Sequence, residues 1–180
     1  LYFLMPSCRY GLTIMVNNII KSQFKDVEEA QLATLATDSP LRELSNNVPL
    51  YDRTALLEKI KDLKSEDDED LFFNFVTTDS RDDWYELLDL HDGVILSEAG
   101  LTVDLRLKHV FETALSSASH FYKSELCMTS RPKRWLACDV YVFNLPYWRA
   151  ELAKEFPIKV YLKFALSETG SVVLICSLHD

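Results

Sequence analysis

The stretch Ile158-Lys159-Val160-Tyr161-Leu162-Lys163-Phe164-Ala165-Leu166, residues 158–166, decides the fold class. Its large apolar residues recur at every second position, the period of a β-strand. DVYVFN at 139–144 and SVVLICSL at 171–178 read as two further strands, and Glu168-Thr169-Gly170 closes the last two as a hairpin. Between the first two, Pro146-Tyr147-Trp148 leads into RAELAKEF, where Trp148, Leu152 and Phe156 form a short apolar helical stripe.

Upstream the period is helical. Val103, Leu107, Val110, Phe111, Ala114 and Leu115 face together over 102–116, with Arg106, Lys108 and Glu112 toward water and His109 in a structural role. Asp52 or Thr54 caps a helix carrying Leu56, Leu57, Ile60 and Leu63 through residue 64. LFFNFV at 71–76 is ambiguous between a strand and a buried helical turn, and WYELLDL at 84–90 offers a further short helix. The expected class is α+β, with helices packed against a small, mainly antiparallel sheet.

Residues 10–20 read as a short strand or helix and 24–37 as a helix, followed by a linker from Pro40 through Ser45-Asn46-Asn47 to Pro49. The chain therefore divides into an accessory region, 1–48, and an α+β domain, 49–180, with an acidic insertion around 65–92. Its 180 residues suit one compact domain or a domain with an accessory segment.

The formal charge of −9 is unevenly spread. Residues 1–48 hold 4 basic and 5 acidic side chains, 49–100 hold 5 and 15, and 101–180 hold 10 and 8, for net charges of −1, −10 and +2. The whole chain is a poor magnet for RNA or an anionic membrane, but its final 80 residues are mildly basic. The acidic block reads as a solvated loop, a partner-binding surface or an RNA mimic. It lacks the alternating ligand loop that calcium requires.

No apolar run approaches the length needed to cross a bilayer, and no secretory leader pattern opens the chain, so a cytoplasmic protein with no membrane partner is expected. Cys8, Cys127, Cys138 and Cys176 are far apart and contain no C-x-x-C pair. Separation along the chain leaves a spatial cluster open, but without a local zinc pattern the expectation is reduced core thiols and no metal. No phosphate-binding or dinucleotide-binding glycine pattern appears, so no cofactor is expected.

The sharpest constellation is Phe121-Tyr122-Lys123-Ser124, Asp139-Val140-Tyr141, Val160-Tyr161-Leu162-Lys163 and the segment from Val173 to His179. In order and placement it resembles the MqsR toxin family, RelE-like messenger-RNA interferases of bacterial toxin–antitoxin systems. The resemblance runs from about Val48 to the end of the sequence; Pro49-Leu50-Tyr51-Asp52 and Gly100-Leu101-Thr102-Val103 add to it, and FYKS is its most specific part. It implies a RelE-like fold, single-stranded mRNA as substrate and a cognate antitoxin protein as partner. The family's lysine falls at Lys123 and its strand tyrosine at Tyr161. Two positions depart from the pattern: the glutamine of WQDVY falls at Cys138, and the terminal lysine falls near His179.

A metal-free ribonuclease uses the substrate's 2′-OH as nucleophile, and so needs a base, a cation for the phosphate and an acid for the departing 5′-oxygen. Lys123, Tyr161 and His179 are the candidate catalytic residues. Lys123 suits phosphate stabilisation, Tyr161 suits orientation of the phosphate or nucleotide, and imidazole suits either proton transfer. Tyr122, Arg131, Lys133, Arg134, Trp135 and Lys163 are the candidate RNA contacts, with Arg131-Pro132-Lys133-Arg134-Trp135 the densest basic cluster and an indole for stacking. The main expectation is a metal-independent endoribonuclease. The alternative is a catalytically weakened, toxin-derived RNA-binding or protein-interaction module.

Overall fold

The computed structural model describes residues 42–63, 72–90, 103–130, 133–149, 152–167, 170 and 172–180. Six strands form one sheet: β1 (Glu43–Ser45), β2 (Phe72–Phe75), β3 (Phe121–Ser130), β4 (Lys133–Arg149), β5 (Lys154–Leu166) and β6 (Val172–His179). Among the described residues three α-helices accompany them: α1 (Arg53–Asp62), α2 (Thr78–Leu90) and α3 (Val103–Ser116). The sheet order is β1-β3-β4-β5-β6-β2, antiparallel throughout except that β2 runs parallel to β6. The architecture is thus α+β with a mostly antiparallel open sheet.

The alternation in residues 158–166 works as the strand period requires. Val160, Leu162, Phe164 and Leu166 point into the core shared with Tyr141, Phe143, Leu145, Val173, Ile175 and Leu178. The helices cover that face: Leu56 and Ile60 from α1, Trp84 and Leu87 from α2, and Leu107, Val110, Phe111, Ala114 and Leu115 from α3 are all buried there. Phe111 sits between Phe73 and Phe164, with ring centroids 5.0 and 5.1 Å away. Helix α3 runs as the apolar spacing predicts, but His109 on it is exposed.

Helix α1 starts at Asp52, whose Oδ1 accepts from the N–H groups of Thr54 and Ala55 at 3.0 Å each. Its far end is closed by Lys108 of α3, whose Nζ donates to the carbonyls of Lys61 and Leu63. Both contacts use orphan groups of the helix ends. Asp52→Ala should cost about 1 kcal/mol, read as a small fall in the urea midpoint with an unchanged slope.

A buried carboxylate ties the loop before α1 to the sheet. Asp139 on β4 accepts from the Leu50 and Tyr51 N–H groups at 2.8 and 3.1 Å, and from the Ser124 hydroxyl at 2.6 Å. Tyr51 also donates its hydroxyl to the Ala137 carbonyl at 2.7 Å. The Pro49–Asp52 segment and the FYKS and DVY segments, far apart in sequence, therefore meet at one polar junction.

Several readings change. RAELAKEF is not a helical stripe: Trp148 pairs with Glu155 and Arg149 with Lys154, so β4 and β5 continue past the expected strand ends. A helix there would strand the backbone groups of β4's last residues, and Pro157 biases Phe156 toward extended backbone. Leu152, one of the stripe residues, is 57% exposed in the connecting turn, beside Ala153 at φ 45°. FYKS begins a strand, β3, and the supposed linker contains the edge strand β1. LFFNFV supplies a strand, β2, and α2 begins six residues before the expected helix. The segments at 10–20 and 24–37, Cys8 and the acidic run at 66–70 lie outside the described residues.

Candidate functional site

The sheet face away from the helices carries the candidate residues, and strand register fixes their layout. Lys123 on β3 pairs with Val140 on β4, Val140 with Lys163 on β5, and Lys163 with Ser177 on β6. Two residues along, Val142 pairs with Tyr161 and Tyr161 with His179. Same-face neighbours lie about 5 Å apart across strands and about 7 Å apart along them. Lys123, Tyr161, Lys163 and His179 thus occupy two adjoining rows of one surface. Among the described residues no helix packs over it.

Side-chain contacts draw the rows together. The Tyr161 and His179 rings stack with centroids 5.1 Å apart and planes 20° from parallel. Lys163 Nζ lies 5.9 Å from the Tyr161 ring centroid. Glu125, two residues beyond Lys123 on β3, bonds both lysines: Lys123 Nζ to Oε2 at 2.5 Å and Lys163 Nζ to Oε1 at 2.7 Å. Tyr122 is 58% exposed at the margin, with Lys123 Nζ 5.9 Å from its ring centroid. Alternation along β3 places Glu125 on the face of Lys123, a signal present in FYKSEL that motif reading passed over.

These contacts set protonation. The hydrogen bond to Glu125 raises the Lys123 pKa above its ordinary value and outweighs partial burial. Burial works against the Lys163 charge, but the Glu125 bond and the attraction of Tyr161 and Glu125 carry its pKa upward too. Burial pushes the Glu125 carboxyl up, while hydrogen bonds from Lys123 and Lys163 prevail and hold it below the usual carboxylate range. Burial raises the Tyr161 phenol. At neutral pH the face presents two ammonium groups, one engaged carboxylate and one protonated phenol. Neither lysine is a base there, and both are cations for an anionic ligand. His179 Nδ1 lies 3.0 Å from the Asp180 carbonyl oxygen, so Nε2 is the ring nitrogen outside that contact.

The basic cluster contributes less definition. Lys133, Arg134 and Trp135 begin β4, opposite Ser130, Thr129 and Met128, but their side chains, like all of Arg131, lie outside the described residues.

Cys138 does not stand in as a polar group on this patch. It is fully buried, and its Sγ lies 3.5 Å from that of Cys176. Cys127 completes a group of three sulfurs within 4.8 Å of one another. Three cysteines expected as reduced core thiols are therefore neighbours, brought together by sheet register that linear spacing does not reveal. Hydrogen bonds from the other two thiols, with Lys163 and Arg42 nearby, lower the Cys127 pKa, whereas burial pushes Cys138 up.

Compared with protein-family models, curated proteins and solved structures, the chain matches none of them.

Proposed function

We propose that the protein is a metal-independent endoribonuclease acting on single-stranded messenger RNA, in the manner of an MqsR-like toxin with a RelE-like fold. The observation that carries this reading is the assembly of Lys123, Tyr161, Lys163 and His179 on one sheet face, from three separate strands. The resemblance puts the family's lysine at Lys123 and its strand tyrosine at Tyr161, with its terminal lysine near His179; its glutamine falls at Cys138, which is buried beside Cys176.

The chemistry follows from the protonation states. His179 Nε2 takes the 2′-OH proton, the 2′-oxygen attacks phosphorus, and the P–O5′ bond breaks. The charged lysines stabilise the phosphorane oxygens. Tyr161, held as a phenol, gives its proton to the departing 5′-oxygen, since a phenol is more acidic than the sugar alcohol it forms. The products are a 2′,3′-cyclic phosphate and a 5′-hydroxyl. The exposed Tyr122 ring would stack an unpaired base, and the basic residues of the Arg131–Trp135 segment would add phosphate contacts. In this reading the protein works in the cytoplasm and a cognate antitoxin is its protein partner. No described helix is long and apolar enough to cross a membrane.

The test is to incubate mixed-sequence RNA with the full chain in excess chelator and to map both ends of the products. Cyclic phosphate and 5′-hydroxyl ends support the mechanism, and intact RNA rejects it. His179→Ala should slow cleavage by about 10²-fold or more, the usual contribution of a positioned proton-transfer group.

A second reading has its own observation. Glu125 engages both lysines, and Cys138 is turned into the sulfur cluster, which favours a weakened RNA-binding or protein-interaction module. Glu125→Gln removes the competing carboxylate and should tighten RNA binding by about tenfold, roughly 1.4 kcal/mol, measured by anisotropy at fixed salt. Binding without cleavage selects the RNA-binding module, and neither activity selects protein recognition.

A further inference from the structure

We propose that Cys127, Cys138 and Cys176 form a three-thiolate site for a thiophilic d¹⁰ cation of the zinc class, with a fourth position open to a small exogenous ligand. None of the three ligands is an RNA-facing residue, and the inference stands or falls apart from the ribonuclease reading.

The geometry is specific. The three cysteines come from β3, β4 and β6, and their sulfurs lie within 4.8 Å of one another. A tetrahedral zinc ion with Zn–S bonds of about 2.3 Å separates its sulfurs by roughly 3.8 Å. The 3.5 Å between Cys138 and Cys176 already falls near that spacing, and the Cys127 sulfur lies within 4.8 Å of both. Two features of the sheet make the approach feasible. Asp139 pairs with Phe164, which puts Cys138 beside Ala165 of β5, and that small side chain leaves room for sulfurs from β4 and β6 to meet over it. The register shift between Lys163 and Phe164 then turns Cys176 toward the same face as Ser177. Irregularities of this kind commonly re-aim a side chain beside a site.

The chemistry is equally selective. The donor set is sulfur alone, within a shell of Val76, Leu136, Ala165, Val172 and Leu174. Soft thiolates favour Zn²⁺, Cd²⁺ and Cu⁺ over Mg²⁺ or Ca²⁺, which take oxygen. Three thiolates around a divalent ion leave one negative charge, and Lys163 and Arg42 lie close enough to act electrostatically on Cys127. Binding forms three S–metal bonds, and each sulfur still protonated releases its proton to solvent.

The experiment uses the full chain, reduced and chelator-stripped, titrated anaerobically with Cd²⁺ while thiolate-to-cadmium charge-transfer absorption is followed. One Cd²⁺ per chain is expected, displaced by Zn²⁺, with the Cys8→Ser variant unchanged. Cys127→Ser and Cys176→Ser, at half-buried positions, should each weaken binding at least tenfold while retaining the wild-type far-ultraviolet circular dichroism. A second measurement needs no variant: X-ray absorption of the zinc-loaded chain should show three sulfur neighbours at about 2.3 Å. Absence of the charge-transfer band, a band that survives both serine variants or vanishes with Cys8→Ser, or fewer than three sulfur neighbours overturns the site.

Discussion

Under the proposed ribonuclease activity, Lys123→Ala should lower the cleavage rate of single-stranded RNA by about 10²- to 10³-fold, the loss that accompanies removal of one preorganised donor to a developing oxyanion. The fold should survive the change. Lys123 and Glu125 expose 26% and 14% of their side chains, and partly exposed ion pairs contribute little to stability, so a urea midpoint close to wild type is expected. The effect falls on turnover because the lysine's charge matters most when the phosphorane carries extra charge. Lys123→Arg keeps that charge and should recover part of the rate, whereas a purely structural lysine would show no such order. Lys163 shares the same carboxylate, so the Lys123 and Lys163 substitutions should combine non-additively. Equal cleavage by wild type and Lys123→Ala would end the proposed role of Lys123.

How much of this was legible in sequence depended on distance. The helix at 103–116 and the strands around 160–165 and 172–178 were readable because their apolar periods are local and long. The β4–β5 extension was misread because RAELAKEF has helix-forming residues, and the competing gain, a continued ladder, lies with a partner strand. Site residues showed the same division. Tyr161 and Lys163 share a face by parity alone, but their proximity to Lys123 and His179 depends on registers across four strands. Glu125 needed only alternation from Lys123. The cysteine group needed everything: spacings of 11 and 38 residues, an intervening alanine and an irregular pairing on β6.

Asp139→Ala should destabilise the protein by about 3–5 kcal/mol, because three buried donors lose their acceptor at once and each unsatisfied donor costs roughly 1–3 kcal/mol. The substitution leaves the Leu50 and Tyr51 N–H groups and the Ser124 hydroxyl facing a cavity. Burial raises the Asp139 pKa to about 6 against the pull of these three donors, so the group is still ionised at pH 7 and acts as acceptor only. Asp139→Asn tests that point: its amide offers one acceptor oxygen and sets an NH₂ group against donors, so the isosteric change should remain clearly destabilising. Ser124→Ala, which removes one donor, should cost about 1 kcal/mol. In a double-mutant cycle the Ser124 and Asp139 losses should couple, because they share a 2.6 Å hydrogen bond. Urea unfolding of the wild type, the three single variants and the double variant measures all of these quantities, and a loss below about 1 kcal/mol for Asp139→Ala would show that Leu50 and Tyr51 find other partners. Since Lys123 is the immediate neighbour of Ser124 and Cys138 that of Asp139, the same junction sets the registers of β3 and β4 on which the exposed face depends. Asp139→Ala at temperatures where it stays folded should therefore disturb that face without touching any residue in it.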